Sequence, residues 1–480
     1  MRREISAVIS SHGKVSGAGQ ARAITVRNPY NSRAIGSVPW AGAEEVDSAV
    51  ARAAEAARAM AAMPLHVRSD QLNGAADRLI AQGRQMAELI TSESGKTIRE
   101  SRAEVARAAG ILRLAAEETR RLHGETIPFD GLPNGIGRTG YWVREPVGVV
   151  GAITPWNVPL ALAAHKVGPA LGAGNAVVLK PAEQTPLNAL LFQEIVRQAG
   201  VPDNAFQVIT GDGETTGDAL AGHPGLGFLS FTGSREVGMR LPGRAGYKRV
   251  GLELGGNSPV IVTPSANLAA AAEAIVRGGF AVAGQLCISV QRVICHESIR
   301  SPLLEQLVPR VAALRVGDPA EDETDVGAMI SQEACDRVES QVESARRAGA
   351  SIVTGGKRAG GSTYLPTVID NAPHDSPLLR EEAFAPLLVL APYTQIEQAI
   401  ELANATSYGL NAGIYTNSLE EAMLAAKQIV AGSVMINDVP TFRSDLMPYG
   451  GRKQSGLGRE GVRFAMEEMC ELKVVCFNMG

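Results

Sequence analysis

Two periods of apolar and polar residues organise most of the chain. Between residues 43 and 121, apolar positions recur three and four apart, which is the spacing of helices with one buried face. From 147 to 254, and again from 259 to 436, short all-apolar runs alternate with helical stretches, which indicates βαβ units around parallel sheets. We therefore predict early helices at 43–61, 67–82, 85–92 and 97–121, and first-sheet strands at 147–153, 176–180, 206–209, 227–231 and 249–254.

Two further segments predict a projecting sheet. Residues 127–142 are interrupted by several glycines and prolines, which indicates an extended arm or a hairpin. A last strand is expected at 473–477. Because an open strand edge can pair with another chain, the tail can join the arm of its own subunit or of a neighbouring one.

Composition narrows the class of protein. A length of 480 residues predicts two or three domains, and 46 basic against 50 acidic residues leave no electrostatic footprint for nucleic acid. The five cysteines are scattered without a CxxC, which argues against a disulfide framework and a structural zinc site and favours a reduced, cytoplasmic protein. The apolar patch 5–9 is too short for a signal-peptide core, and no run approaches the roughly 18 residues of a membrane helix.

Polar residues that follow the predicted strands indicate a nucleotide site, because parallel sheets bind ligands at the carboxyl ends of their strands. Lys180 and Glu183 can hold the two ribose hydroxyls of an adenosine, and the carboxylate would repel a 2′-phosphate, which favours NAD over NADP. Gly233 allows a tight turn, and Ser234 can cap a helix whose free N–H groups bind pyrophosphate. Taken singly, these residues also fit a solvated loop and an ordinary turn.

Three residues are candidates for chemistry. Cys287 lies in an apolar stretch with no nearby histidine, so it is either a buried core thiol or a nucleophile at a pocket floor. Asn157, after the strand at 147–153, is either a turn residue or a hydrogen-bond donor to an oxyanion. Glu253 lies in an apolar strand before two glycines and is either a paired charge or a base with a raised pKa.

Together these groups predict a thiol mechanism. A Cys287 thiolate attacks an aldehyde, and Asn157 and the Cys287 N–H hold the oxyanion. Hydride leaves to a nicotinamide, and water deprotonated by Glu253 hydrolyses the thioester.

Seven motifs, in order and at matching spacing, resemble the aldehyde dehydrogenase superfamily, of the hydrolytic NAD(P)-dependent type. They extend over nearly the whole chain and are Thr154-Pro155-Trp156-Asn157, Lys180-Pro181-Ala182-Glu183, Phe231-Thr232-Gly233-Ser234, Leu252-Glu253-Leu254-Gly255-Gly256, Gly284-Gln285-Leu286-Cys287, Glu381-Glu382-Ala383-Phe384-Ala385-Pro386, and Pro448-Tyr449-Gly450-Gly451 with Ser455-Gly456.

The resemblance implies an α/β protein with three domains and a homodimer or homotetramer. The Rossmann-like cofactor domain would comprise 1–122 and 143–254 with 437–462 returning to it, the α/β catalytic domain 255–436, and the oligomerisation β-arm 123–142 and 463–480. It makes Cys287 the nucleophile, Glu253 the base and Asn157 the oxyanion donor. It also implies a cofactor site, for NAD with NADP possible, formed by Thr154, Pro155, Trp156, Lys180, Glu183, Gly213, Phe231, Gly233, Ser234, Leu254, Glu382 and Phe384.

Within the family, the chain looks closest to members that act on small polar or anionic aldehydes such as lactaldehyde, sulfolactaldehyde and phosphonoacetaldehyde. By that resemblance Arg107 and Arg443 face the substrate, although Arg107 also fits a solvated helix residue and Arg443 a loop salt bridge. Leu286, Val158 and Ile288 would line the pocket, and Leu286 and Val158 make it more apolar. An aromatic or medium aliphatic aldehyde is therefore the alternative substrate.

Three other functions are alternatives for a protein with these motifs. A CoA-acylating enzyme typically lacks the base that Glu253 provides, and a non-redox thiol hydrolase would not need the nucleotide motifs. A binding protein without chemistry is disfavoured by the complete set of Cys287, Glu253 and Asn157.

Overall fold

The early helices cover both faces of the first sheet: the helix at 43–62 packs on one face, and the helices between 65 and 121 pack on the other. The computed structural model describes residues 22–373 and 375–480, so the first 21 residues of the predicted cofactor domain lie outside the described residues. The described part begins with an antiparallel hairpin of β1 (Ala23–Arg27) and β2 (Ala34–Pro39). Four helices follow: α1 (Ala43–Ala62), α2 (Leu65–Ala81), α3 (Gly83–Ser94) and α4 (Ile98–Arg121).

The junction between α3 and α4 has clear local causes. Helix α3 ends at Gly95, whose φ of +76° is the left-handed conformation that glycine adopts without strain. Helix α4 begins with a capping box, in which the Thr97 side chain accepts from the Glu100 N–H and the Glu100 carboxylate accepts from the Thr97 N–H. This junction therefore has a defined geometry, and its side chains reach the active site described below.

The arm forms a separate three-stranded antiparallel sheet. Its order is β20 (Cys470–Asn478), β4 (Arg138–Pro146) and β3 (Glu125–Thr126), so the tail pairs with the arm of its own chain. Strand β4 extends to Pro146, and its pairing with β20 continues to Cys470. The helix α15 (Val462–Glu468) packs on the core beside the first sheet, and its Glu467 lies 3.7 Å from Arg144 of the arm.

The first α/β unit is a six-stranded sheet. Its order is β19-β9-β8-β5-β6-β7, with β19 antiparallel and the other strands parallel. Its strands are β5 (Val149–Ile153), β6 (Ala176–Lys180), β7 (Phe206–Val208), β8 (Phe228–Thr232), β9 (Arg249–Glu253) and β19 (Gly456–Leu457). Its helices are α5 (Pro159–Ala173), α6 (Pro186–Gln198), α7 (Asp218–Gly222) and α8 (Arg235–Ala245).

The second α/β unit is a seven-stranded sheet in which only the first strand of the order is antiparallel. In spatial order its strands are β12 (Ser351–Thr354), β15 (Thr367–Asp370), β16 (Leu387–Tyr393), β11 (Val290–His296), β10 (Ser258–Val262), β17 (Asn411–Tyr415) and β18 (Ser433–Ile436). A small hairpin of β13 (Arg358–Gly360) and β14 (Thr363–Tyr364) lies apart from it. The helices of the second α/β unit are α9 (Leu268–Phe280), α10 (Arg300–Ala312), α11 (Gln332–Arg347), α12 (Pro377–Arg380), α13 (Ile396–Asn404) and α14 (Leu419–Gln428).

The strand order places the site. In the first sheet, β6 and β7 lie on one side of β5, whereas β8 and β9 lie on its other side. The direction of the winding therefore reverses between β5 and β8. Doubly wound sheets bind ligands in the crevice at this reversal, outside the carboxyl ends of the strands. The crevice here is closed on its far side by the segment that precedes β11.

Candidate active site

A cleft of about 440 Å³ lies at the reversal point and brings the three candidate reacting residues together. Asn157 follows β5, Glu253 ends β9, and Cys287 comes from the second α/β unit. The cleft is also lined by Gly233 and Glu382. Residues that are far apart in the chain therefore meet in one cleft with mostly apolar walls.

Cys287 is held by a strained turn. Val282 and Ala283 both have a φ of +52°, a left-handed conformation that is unusual for residues with a side chain and most unusual for a β-branched one. Gly284 has a φ of +69°, and a Cβ at this position would come within 2.0 Å of the Ala385 carbonyl oxygen. The turn therefore fixes the direction in which the chain presents Cys287.

The thiol of Cys287 is protonated at neutral pH in this arrangement. Burial raises its pKa to about 11, and the nearby carboxylates of Glu382 and Glu253 raise it as well. The Tyr449 hydroxyl, 3.4 Å from Sγ, and the charge of Arg443 oppose this shift. The hydroxyl of Tyr449 and the charge of Arg443 therefore do not outweigh the burial of this thiol.

Alkylation of Cys287 by iodoacetamide in cofactor-free protein should become faster with rising pH. Only the thiolate reacts, so the rate should increase about tenfold per pH unit until the pH approaches the pKa of about 11. Mass spectrometry of the peptide that contains Cys287 measures the rate. A rate that levels off near neutral pH would contradict the burial effect.

Asn157 is in place to donate a hydrogen bond into the cleft. Its Nδ2 donates to the Gln285 carbonyl oxygen at 2.8 Å, which uses one of the two N–H bonds of the amide. The side chain is 4% exposed, and its Oδ1 has no hydrogen-bond partner within 22–373 and 375–480. The second N–H is therefore the group that a developing oxyanion could use.

Glu253 is a buried carboxylate with a perturbed pKa. Burial and the charge of Glu460 raise its pKa well above the usual range, while Arg443 and Lys166 act in the opposite direction. Its Oε2 lacks a hydrogen-bond partner among the described residues. Of the two interpretations of Glu253, the structure supports a raised-pKa group, because the ion pair with Lys166 belongs to Glu460, at 2.8 Å.

The adenosine side of the predicted cofactor site lies at the ends of β6 and β7. The Glu183 Oε1 accepts from the Gly213 N–H at 3.0 Å, which holds the carboxylate in place. Burial lowers the pKa of Lys180, and the charges of Glu183 and Asp212 oppose that shift. Ser234 caps α8 by accepting from the Val237 N–H at 3.4 Å, so the first turn of that helix has the predicted form.

The nicotinamide side of the predicted cofactor site would be formed by Trp156, Glu382 and Phe384, which line the cleft. Glu382 Oε1 accepts from the Gly256 N–H at 2.9 Å, and burial raises the pKa of this carboxyl to about 7. The Phe384 and Trp156 rings meet edge to face, with centroids 5.5 Å apart. The neighbouring Glu381 forms an ion pair with Arg235 at 3.2 Å and is not a cleft residue.

The other predicted cofactor residues divide into two groups. Pro155, Gly233 and Leu254 line the cleft. Thr154 and Phe231 are buried beneath it, and Phe231 supports Gly233, where an added Cβ would meet the phenyl ring at 2.4 Å. The Thr232 Oγ1, which lines the cleft, has no hydrogen-bond partner in the described part of the chain, so it is available to a bound dinucleotide. The residues present therefore fit the cofactor.

The two arginines predicted to face the substrate already hold carboxylates. Arg107 binds Asp445 through Nε and Nη2, with the shortest contact at 2.7 Å, so it is not a solvated helix residue. Arg443 is 7% exposed, and its Cζ lies 3.7 Å from the centre of the Tyr449 ring. Both guanidinium groups also approach the His165 Nε2, at 3.3 Å and 3.2 Å. They form one cluster next to Tyr449, which contacts Cys287.

Of the three predicted apolar residues, Ile288 lies beside the thiol. Ile288 is buried with Leu410 and Tyr449, and Cys287 packs against these three. Leu286 is half-buried, and Val158 precedes the first turn of α5; neither lines the cleft. His165 and Tyr449 were not among the predicted site residues. Tyr449 was within reach because it lies in the quoted Pro448–Gly451 motif, whereas His165 gives no signal beyond a single polar residue in an apolar helix.

Neither a metal site nor a membrane span is found among the described residues. No group of three or more His, Cys, Asp or Glu side chains within 22–373 and 375–480 is placed to hold a metal ion. Over the same ranges, no helix combines the length and the apolarity that crossing a bilayer requires.

The fold and this cleft define a class: a doubly wound nucleotide-binding protein with a cysteine at the ligand-binding end of its sheet, which is an oxidoreductase arrangement. Comparison with known proteins agrees. The profile of the aldehyde dehydrogenase family matches residues 15–475. The chain therefore belongs to the aldehyde dehydrogenase family, whose members oxidise aldehydes with NAD or NADP as the acceptor.

Individual relatives cover nearly the whole chain. The 3-sulfolactaldehyde dehydrogenase of Priestia aryabhattai is 43% identical over 459 residues, 96% of each chain. Aspartate-semialdehyde dehydrogenase 1 of Pseudomonas canavaninivorans is 44% identical over 456 residues, 95% of this chain and 97% of that one. The structure of glyceraldehyde-3-phosphate dehydrogenase GapN from Methanocaldococcus jannaschii, complexed with NADP, has a TM-score of 0.92 at 37% identity and covers 96% of this chain and 100% of that chain.

Proposed function

We propose that the chain oxidises an aldehyde to a carboxylic acid through a thioester on Cys287. The thiolate adds to the aldehyde carbon, and the Asn157 amide and the Cys287 N–H stabilise the oxyanion of the thiohemiacetal. Bound NAD or NADP supplies the hydride acceptor. Glu253 takes a proton from water, which attacks the thioester and releases the acid and the thiol.

One observation carries this proposal. Cys287, Asn157 and Glu253 line the same cleft, although they come from three different chain segments. The raised pKa of Glu253 suits a base that must be reprotonated and deprotonated near neutral pH. The set also supports hydrolysis over transfer to CoA, because the residue that activates water is present at the thiol.

We propose NAD as the preferred acceptor. The Glu183 carboxylate is held in place by Gly213 at 3.0 Å, and a fixed negative charge there would repel a 2′-phosphate. The GapN relative was solved with NADP, so the fold itself does not decide between the two cofactors.

We propose a small polar or anionic aldehyde as the substrate, and the following observations support an anionic one. Sulfolactaldehyde, aspartate semialdehyde and glyceraldehyde 3-phosphate, after which the relatives are named, all carry an anionic group. In this chain the Arg107–Arg443 cluster supplies positive charge beside Tyr449, and the charge of Arg443 reaches the Cys287 thiol. Asp445 and Glu460 already pair with this cluster, so the arginines would share their charge between these carboxylates and the substrate.

An aldehyde panel with NAD and with NADP tests this proposal. In Arg443→Met, the KM for a sulfonate or carboxylate aldehyde should rise about tenfold or more, because a charge-assisted hydrogen bond is lost, while the KM for propanal should change little. Arg107→Met should show the same selective effect. Arg113→Met serves as the control, because Arg113 lies on the same helix and pairs with Asp77 at the surface. An equal KM change for charged and neutral aldehydes would contradict an anionic substrate.

The alternative is an aromatic or medium aliphatic aldehyde. It is favoured by the apolar surroundings of the thiol, where Ile288, Leu410 and Tyr449 are packed together. In the same panel it would appear as the highest kcat/KM for benzaldehyde or hexanal.

We further propose that the chain forms a homodimer or homotetramer through its arm and that it is cytoplasmic. Strand β20 has one free edge in the three-stranded sheet, and its Leu472, Val474 and Phe477 are 60%, 59% and 49% exposed. An apolar strand edge of this kind suits pairing with a second copy. All five cysteines are free, which suits a reducing compartment.

A further inference from the structure

The junction before α4 and the first turns of α4 carry charged side chains that are buried in the protein. Lys96 and Glu104 are 2% and 5% exposed. They form an ion pair, and the Lys96 Nζ also donates to the Asn157 carbonyl oxygen at 3.2 Å. The Glu104 Oε1 accepts from the Leu160 N–H at 2.8 Å and from the Ala161 N–H at 3.0 Å, so it caps the first turn of α5. This pair therefore holds the Asn157 carbonyl group and the start of the helix that follows it.

A third charged residue, Glu100 on α4, holds the strained turn before the thiol. The Glu100 Oε1 accepts from the Val282 N–H at 2.6 Å, while its Oε2 stays on the Thr97 cap. The Val282 carbonyl oxygen in turn accepts from the Gln285 N–H and from Gln285 Nε2, both at 3.1 Å. Residues in the left-handed region persist only where their surroundings hold them, and Glu100 is the side chain that does so from outside the turn.

These contacts close a ring. It begins at Glu100 on α4 and continues through Val282 and Gln285 to Asn157. From Asn157 it returns to Lys96, which lies just before α4. The contact that joins the two halves is the hydrogen bond from Asn157 Nδ2 to the Gln285 carbonyl oxygen, at 2.8 Å across 128 residues of sequence. Gln285 lies two positions before Cys287. The ring therefore connects the oxyanion donor and the nucleophile, which belong to different α/β units, to a single helix.

We propose that Lys96, Glu100 and Glu104 are positioning residues that set the placement of Asn157 relative to Cys287. This inference rests on the roles proposed above for those two residues. A buried ion pair is a poor source of net stability, because the desolvation of both charges offsets their attraction. Its two ends here bind the catalytic loop and the helix that follows it, which is what positioning requires. A displacement of about 1 Å is enough to slow an enzyme about 100-fold.

The test compares four variants by three measurements. Lys96→Met combined with Glu104→Gln removes both buried charges together and so avoids leaving one unpaired. Glu100→Ala acts on the other half of the ring, Asn157→Ala removes the oxyanion donor itself, and Arg113→Met, at an exposed ion pair of the same helix, is the control. The measurements are kcat and KM with NAD and an aldehyde, the rate of Cys287 alkylation by iodoacetamide without cofactor, and the midpoint of thermal unfolding.

The two halves of the ring should differ in their effects. The double variant should lower kcat about 10- to 100-fold and leave the alkylation rate within about twofold, because alkylation needs no oxyanion donor. Glu100→Ala should change both kcat and the alkylation rate, because it releases the turn that presents the thiol. Neither variant should raise the KM for NAD more than about twofold, because the ring does not include the adenosine side of the cleft. Arg113→Met should change neither rate.

Other outcomes overturn the proposal. If the double variant unfolds at lower temperature and retains its kcat, the pair has a structural role only. If Asn157→Ala slows turnover while the double variant and Glu100→Ala do not, positioning is wrong and the proposed function survives. If Asn157→Ala itself retains full kcat, its oxyanion role fails, and the positioning proposal fails with it. Should the double variant not fold, Glu100→Ala carries the test. Lys96→Arg, which keeps a donor near Asn157, should then retain part of the kcat of the parent protein.

Discussion

Cys287→Ser should lower kcat for aldehyde oxidation by about 10³-fold or more, to the limit of detection. A serine hydroxyl at this position has no base to activate it. The only described side chain within hydrogen-bond distance of Sγ is the Tyr449 hydroxyl, at 3.4 Å, and the nearby carboxylates of Glu253 and Glu382 disfavour a further negative charge. Aldehyde-dependent formation of NADH measures the loss. The change from sulfur to oxygen removes little volume, so the protein should remain folded.

Cys476→Ser provides the matched control. Cys476 lies exposed in β20, and its replacement should leave kcat within about twofold of the parent. Turnover by Cys287→Ser within about tenfold of the parent rate would exclude the thioester mechanism as a whole, whatever the substrate.

Glu253→Gln should separate the two halves of the reaction. Steady-state turnover should fall about 10²- to 10⁴-fold, because the amide can bind a water molecule but cannot take its proton. The first turnover needs no base at this position, so a burst of NADH equal to the enzyme concentration should remain. Hydroxylamine, a nucleophile that needs no deprotonation, should restore part of the steady-state rate. Rapid-mixing absorbance of NADH records both phases.

The pH dependence provides a second readout for the same residue. Burial and the charge of Glu460 raise the pKa of Glu253, and the base form is the carboxylate. Turnover of the parent protein should therefore rise with pH through a range above the usual titration of a glutamate, and this rise should be absent in Glu253→Gln. If Glu253→Gln loses the burst of NADH as well as steady-state turnover, Glu253 acts in an earlier step. If Glu253→Gln turns over at the rate of the parent protein, Glu253 has no part in the mechanism.

The buried strands and the Ser234 cap of α8 were the parts of the fold that sequence reasoning predicted best. The all-apolar runs at β5 and β6 predicted buried strands, and Ser234 caps α8 as predicted. Strand β17 was missed, although it lies next to β10 in the middle of the second sheet, because Asn-Ala-Gly-Ile-Tyr carries little β-forming signal of its own. Its burial comes from its neighbours, and tertiary packing overrides local propensity.

The candidate site shows the same division. Cys287, Asn157 and Glu253 were found because each has a residue type with a specific chemical use in an otherwise apolar setting. Lys96, Glu100 and Glu104 were not found, because charges four residues apart on a helix also describe a solvated face. Arg107 had two open interpretations, and its contacts with Asp445, a residue 338 positions away, removed the solvated one.

By itself the sequence determined the class of fold and supplied the candidates for the nucleotide site and for the reacting side chains, because periodicity and residue chemistry are local properties. The tertiary structure decided which groups share a cleft, how far burial raises the pKa of Cys287 and Glu253, and which charges are already paired. Desolvation and pairing depend on groups that are distant in the chain, so no local pattern contains them. The ring that joins α4 to the segments of Asn157 and Cys287 is the clearest case, since the contacts that connect its parts join residues distant in the chain.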